Sequence, residues 1–558
     1  MAPNDELKTA THQTSSSDGG DAETGEAGVV NASSPLKREL KGRHMQMIAM
    51  GGAIGAGLFV GSGKALGAGG PGAIMICFLI VGTMLLCTIQ ALAELTVMYP
   101  VNGAFFSYMV RFIDPSWGFA IGWDYTMTWL TVLPFEIVVA DITIDYWKLP
   151  VPKAAWFSIF LVALGVIQIF GVKAFGEVEF VLSIIKILAC FMCMIVGIVI
   201  NTGAVGDQGY LGMKLWSDPG AFKNGFAGFC AVFVTAAFSF GGTELVGLAA
   251  AESENPRKAI PKAAKQTIWR ILFFYVANLF IIGLVVPNSH PKLISSSEEA
   301  FDSSVSPFVI AIDEAKIKVL PHIMNFVIAL AVISVANSAT FGSTRTMQAM
   351  AQRGMGPEVF SYVDKAGRPL WCIIVQFAFG LLAFIACKSG TTVVFNWLLA
   401  LSGLSYFFIW GSICLAHIRF RHGLKAQDYK LEQLPYRAWG GIAGSWIGVI
   451  LSFVCLIATL YTSVGYKDIK DEKTGEVIKR VFDAAGFFQG YLAFFVIMAL
   501  YLGWKLKTGI TTGNWKMLIR PEDMDITSGA NFLAPGDDED VVERTWKNMP
   551  SRALKALF

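Results

Sequence analysis

Apolar residues gather in long runs divided by short polar stretches. Twelve of these runs are long enough to cross a bilayer core as helices, at about 20 residues each. They fall at about 44–66, 72–99, 117–146, 153–171, 178–200, 225–250, 267–287, 321–344, 370–388, 393–416, 444–464 and 484–505. An even number of crossings puts both chain ends on one side. Short loops rich in Lys and Arg stay cytoplasmic, so basic residues set the orientation. Arg257, Lys258, Lys262, Lys265 and Arg270 fall in one such loop, and Arg345, Arg353, Lys365 and Arg368 in the next. Arg419, Arg421, Lys425, Lys430 and Arg437 fill a third. Both termini are therefore expected in the cytoplasm. The loop at 465–483 runs against the pattern with Lys467, Lys470, Lys473, Lys479 and Arg480, offset by Asp468, Asp471, Glu472, Glu476 and Asp483.

Composition agrees with a membrane chain. Of 558 residues, 15% are charged and 54% hydrophobic, where a soluble chain carries about 25% charge. An ordinary soluble enzyme, a disordered scaffold and a nucleic-acid binder are poor fits, and no nucleic-acid partner is expected. Polar residues collect at the ends. Residues 1–43 are rich in Ser, Thr, Asp, Glu and Gly and read as a disordered cytoplasmic tail. Residues 506–558, with the acidic run Asp537 to Asp540, read as a solvated cytoplasmic tail. No cleavable signal pattern opens the chain, so the first span directs insertion, with Lys37, Arg38, Lys41 and Arg43 as its basic flank. The sequon Asn31-Ala32-Ser33 then stays cytoplasmic and unmodified. Tail lysines such as Lys8 are candidate points for ubiquitin and the trafficking machinery. All nine cysteines, the pair Cys190 and Cys193 included, lie in apolar runs and read as packing residues. The six His have no metal-ligand spacing, so no metal site and no cofactor is expected.

Chemistry concentrates where glycine interrupts the apolar runs. The first run contains Gly51-Gly52-Ala53-Ile54-Gly55-Ala56-Gly57, with Gly61 and Gly63 following. A phosphate-binding loop is absent, because Lys64 is followed by Ala65. Two readings remain open: close helix packing through small residues, or a helix broken near Gly55 to Gly57, whose freed N–H groups hold an anion. The sixth run is interrupted likewise at Phe238-Ser239-Phe240-Gly241-Gly242-Thr243-Glu244. Paired interruptions at corresponding places point to an inverted-repeat transporter with its site near the midplane. A zwitterion suits that arrangement. Its carboxylate would meet the backbone of Ile54, Gly55, Ala56 and Gly57, and its ammonium the unwound carbonyls across Ser239, Phe240, Gly241, Gly242 and Thr243.

These residues, with Arg43-His44-Met45-Gln46-Met47, Leu133-Pro134-Phe135-Glu136-Ile137, Pro256-Arg257-Lys258, Ser343-Thr344-Arg345, His417-Ile418-Arg419-Phe420-Arg421 and Leu434-Pro435-Tyr436-Arg437, resemble the fungal amino-acid permeases of the amino acid-polyamine-organocation superfamily, general amino-acid permease type. The resemblance covers roughly 35–530. It implies proton-coupled uptake of amino acids across the plasma membrane. The fold it implies is all-α and polytopic, with twelve transmembrane helices, five-plus-five inverted repeats at about 44–200 and 225–416, and broken helices 1 and 6. Two peripheral helices would follow at about 444–505, completing a transporter domain of 44–505. Two departures stand out. Ala56 replaces a hydroxyl residue frequent in the first break, and Asp141 stands where relatives usually carry a small residue, either favouring cationic substrates or facing water.

A charge at membrane depth is a functional hypothesis in its own right. Lys186 lies well inside the fifth run; the resemblance implies that its ammonium replaces a sodium ion between the first and eighth spans, and a structural role is the alternative. Glu136 and Glu244 are further candidates for proton coupling, for pairing with a basic substrate, or for hydrogen-bonded packing. Phe240 would close over the substrate side chain if it follows the family, or belong to the bundle core. The expected partners are an amino-acid substrate and the lipid bilayer, with the proton as coupling ion. An amino-acid exchanger and a non-transporting sensor use the same pocket. No nucleophile paired with a base, and no cofactor motif, points to an enzyme.

Overall fold

The computed structural model describes residues 36–52, 54–293, 306–387, 391–470 and 477–533. Asn31, Lys8 and the acidic run at 537–540 lie outside them.

The described residues are largely helical. In order come α1 (Gly42–Gly51), α2 (Ser62–Met98, entered through a π-turn at Gly57–Gly61), α3 (Ala104–Phe112), α4 (Pro115–Ile144), α5 (Lys153–Ile169) and α6 (Gly171–Asn201). There follow α7 (Gly225–Phe240), α8 (Leu245–Leu248), α9 (Pro256–Trp269), α10 (Asn278–Val285), α11 (Pro307–Glu314) and α12 (Leu320–Gln352). The last are α13 (Leu370–Gly380), α14 (Thr391–Ala426), α15 (Gly441–Ser463) and α16 (Ala484–Thr512). Among the described residues nine helical stretches are long and apolar enough to span a membrane, and α5 is a shorter apolar helix. Within α2 the first two expected spans meet at Gly70, whose φ of +82° no side chain favours and which Pro71 follows. Among the described residues the strands are those of an antiparallel pair, β1 (Tyr466–Lys470) with β2 (Val477–Phe482). It occupies the anomalously charged loop at 465–483.

Burial separates centre from rim. The apolar window of Pro115–Trp147 is 89% buried and that of Leu320–Gln352 is 78%, against 28% for α15 and 17% for α16. Small residues bring α4 and α12 together: a Cβ on Gly122 would lie 2.5 Å from Met350 Sδ, and one on Gly342 3.0 Å from the Trp129 ring. On the rim the apolar pattern turns outward, with Leu188, Ile195, Ile450, Phe453 and Leu502 exposed, as lipid-facing helices require.

Three expectations need correction. Arg270, Arg345 and Arg421, assigned to loops, are buried in helices, because the helices continue beyond the apolar runs. Of the described residues ahead of α1, 36–41, Leu36 and Leu40 are buried rather than loose. The C-terminal segment is not solvated from 506: α16 runs to Thr512, and residues 513–533 lie along the bundle. There Met524 and Ile526 are buried, Tyr99 donates to the Ile526 carbonyl (2.7 Å) and Arg111 pairs with Asp525 (3.2 Å). Of the cysteines, Cys387 is exposed at a helix end.

Candidate functional site

Both glycine-marked interruptions are real losses of winding. α1 ends at Gly51, and helical hydrogen bonding resumes with Phe59 N–H donating to the Gly55 carbonyl (3.1 Å). The N–H groups just ahead of that bond stand at a helix start, where no intrahelical acceptor exists. The unwound stretch thus begins a few residues earlier than the sequence suggested. α7 ends at Phe240, a turn crosses Gly241 to Glu244, and α8 resumes the direction; Gly242 takes φ +97°.

The two breaks touch. A Cβ on Gly57 would fall 2.5 Å from Ser239 Cα, so only glycine permits the approach. Gly55 lies as close to Val335 of α12, and Gly241 to the Tyr406 ring of α14. Between them lies a small cavity of about 10 Å³, room for about one water molecule, so the breaks are nearly closed on each other. Its walls are Gly55, Ala56 and Gly57 from the first break, Phe238 and Gly241 from the second, Trp129, Val132 and Glu136 from α4, Val335 from α12 and Tyr406 from α14. Glu136 is 1% exposed, and its Oε2 has no hydrogen-bond partner. A buried carboxylate oxygen without a donor is costly unless a cation or proton meets it.

The other expected residues divide. Ile54 is fully buried beside the break but does not line the cavity. Ser239 donates to the Thr235 carbonyl (2.7 Å) and its own carbonyl accepts from Tyr275 (2.7 Å). Phe240 packs away from the cavity against Tyr275 and Phe78, with ring centroids 4.3 and 5.6 Å apart. Phe238, about 200° around the helix, takes the cavity position and packs edge-on against Phe135. Glu244 is a structural partner of its own turn: it accepts from Gly242 N–H (3.2 Å), Tyr125 (3.3 Å) and Trp410 (3.4 Å). Asp141 is brought neither to water nor to the cavity; it is 3% exposed and lies 3.8 Å from Lys153 Nζ.

Lys186 is fully buried and reaches α12 through Ser334 (2.8 Å), while its other partner is Glu179 on its own helix (3.2 Å). The first helix joins this group indirectly, since Ser183 donates to the Met47 carbonyl (3.2 Å).

Three further features went unread in the sequence. Arg270 is fully buried; one guanidinium nitrogen donates to the Ala49 carbonyl of α1 and the other to the Thr243 hydroxyl of the second break. Glu179 was passed over because it opens an apolar run, although seven residues, two helical turns, set it on the face of Lys186. At one end of the bundle Leu40 N–H donates to the Glu252 carbonyl (3.0 Å), Glu254 N–H donates to the Leu40 carbonyl (3.0 Å), and the buried Glu252 carboxylate pairs with Arg345 (2.9 Å).

The Amino acid permease family matches residues 44–515. The General amino-acid permease GAP1 of Saccharomyces cerevisiae is 47% identical over 91% of this chain and 83% of its own length. The Amino-acid permease inda1 of Hypocrea atroviridis is 46% identical over 88% of this chain and 84% of its own. The Cationic amino acid transporter 1 of Schizosaccharomyces pombe is 46% identical over 96% and 86%. With a family match over most of its length and relatives nearly half identical to it, the chain belongs to the amino acid permease family and carries amino acids across a membrane.

Proposed function

We propose that the chain is a proton-coupled symporter that imports L-amino acids of varied side chain across the plasma membrane, using twelve crossings with both termini cytoplasmic. The observation that carries this reading is the contact of Gly57 with Ser239 beside a cavity holding an unpartnered Glu136 oxygen. The substrate carboxylate sits at the N–H groups opening the second half of the first helix, where the dipole favours an anion. Its ammonium lies toward the second break and Glu136. Its side chain meets Phe238, Tyr406, Val132 and Val335, an apolar and aromatic wall that suits many side chains. The names of the general permeases among the relatives favour such breadth.

Lys186 supplies the coupling site, in contact with α12 and linked to α1 through Glu179 and Ser183. Proton and substrate together shift the balance between outward and inward forms, as differential binding requires. Five-plus-five inverted repeats relate the two breaks. Glu252, Arg345 and Leu40 form the cytoplasmic closure, and the tails receive ubiquitin and trafficking factors. The reaction uses no cofactor beyond the proton.

Uptake of labelled amino acids into vesicles under an imposed proton gradient tests this. Accumulation should stop when a protonophore collapses the gradient; uptake indifferent to the gradient would overturn proton coupling.

A further inference from the structure

Lys186 and Glu179 are both fully buried, and among the described residues Glu179 is the one carboxylate in ion-pair contact with Lys186. A buried lysine without a counter-charge is strongly unfavourable, so the pair explains how the ammonium survives there. The third member makes the arrangement more than a salt bridge. Ser334 Oγ accepts from Lys186 Nζ at 2.8 Å and donates to Glu179 Oε2 at 2.7 Å, while Glu179 Oε1 lies 3.2 Å from Nζ. Ser183 donates to the same Oε1 (3.3 Å) and also faces the Met47 carbonyl.

We propose that Glu179 is the acceptor of the coupling proton from Lys186, reached directly and through the Ser334 hydroxyl. The inference rests on the proton-symport reading above. In the relayed step an N–H bond of Lys186 breaks as Ser334 Oγ takes the proton, and the hydroxyl's own proton passes to Glu179 Oε2. Lysine ends neutral, glutamate ends as a neutral acid, and serine is unchanged. The proton then leaves Glu179 for water when the transporter opens inward, and Lys186 is recharged from the opposite side. Ser334 sits on α12, whereas both ends of the relay sit on α6, so the circuit is complete only while those helices stay together. A movement of α6 against α12 therefore breaks the relayed path and leaves only the direct Lys186–Glu179 contact within α6.

Other groups flank it. Glu136 of α4 is within electrostatic reach of Lys186, Cys190 lies one turn along α6, and His44 of α1 packs on Gly176 near the Glu179 end. Tyr275, from the π-turn after α9, faces Cys190. None of the last three touches the relay.

The test compares wild type, Glu179→Gln, Glu179→Asp and Ser334→Ala reconstituted in vesicles, reading gradient-driven accumulation and substrate exchange at equal pH. Glu179→Gln keeps size and hydrogen bonding but takes no proton, so accumulation should fall at least about tenfold while exchange persists and its pH profile flattens. Glu179→Asp should restore pH-dependent accumulation in part, and Ser334→Ala should slow accumulation more than exchange. Glu179→Gln accumulating substrate with the native pH profile overturns the proposal. So does equal loss of accumulation and exchange in both Glu179→Gln and Ser334→Ala, which marks a structural role. Gradient-independent uptake by the wild type contradicts the symport reading itself, a separate outcome.

Discussion

Gly57 lies against Ser239 so closely that a single methyl group on the first would fall 2.5 Å from the Cα of the second. Two helices interrupted far apart in the sequence therefore meet at their interruptions. Gly57→Ala should force the breaks apart at a cost of about 1–3 kcal/mol of overpacking. Uptake by a correctly inserted Gly57→Ala protein should fall to background; normal uptake and melting temperature would contradict the contact.

Arg270 spans what Gly57 and Ser239 bring together, donating to Ala49 on one side and Thr243 on the other. Lysine keeps the charge but lacks the two-pronged fork. Arg270→Lys should lower stability by about 1–3 kcal/mol, the cost of an acceptor left unmet, and reduce turnover. Thermal unfolding in detergent and initial uptake rates check both; an unchanged melting temperature would show that the bridge holds nothing.

Which aromatic faces the substrate distinguishes Phe238 from Phe240. Phe238→Ala should change the ranking of amino acids in a competition panel. Phe240→Ala, which empties a core position against Tyr275 and Phe78, should cost about 3–5 kcal/mol of stability and leave the ranking unchanged. The reverse pattern would return the gate to Phe240.

The buried pair of Glu252 and Arg345 makes a prediction about non-additivity. Arg345→Met alone strands a buried carboxylate, at about 3–5 kcal/mol. Glu252→Gln combined with Arg345→Met should recover much of that loss, which a double-mutant cycle on thermal stability measures. Additive losses would mean the two residues act separately.

The sequence announced the breaks because glycines cluster at corresponding places in two apolar runs, and it announced Lys186 because charge is rare at that depth. It could not tell which of Phe238 and Phe240 faces inward, since that depends on the helix phase at the very point where the winding fails. Arg270 was hidden by position. It sits beside a basic loop, where counting of positive charges absorbs it, and its partners lie 221 and 27 residues away. Glu179 was hidden by its place at the start of an apolar run. The docked segment at 513–533 has no long apolar run, and side chains such as Tyr99 and Arg111 reach its backbone from distant parts of the sequence.

Binding by the purified protein to a matched ligand series tests the central claim most directly: an amino acid, the amine lacking its carboxylate, and the acid lacking its amino group. With the carboxylate held by the opened first helix and the ammonium by the second break and Glu136, calorimetry should find the intact zwitterion bound about 100-fold more tightly than either truncated ligand, as charge-assisted hydrogen bonds demand. Equal affinity for all three would contradict a site built from the two opposed breaks.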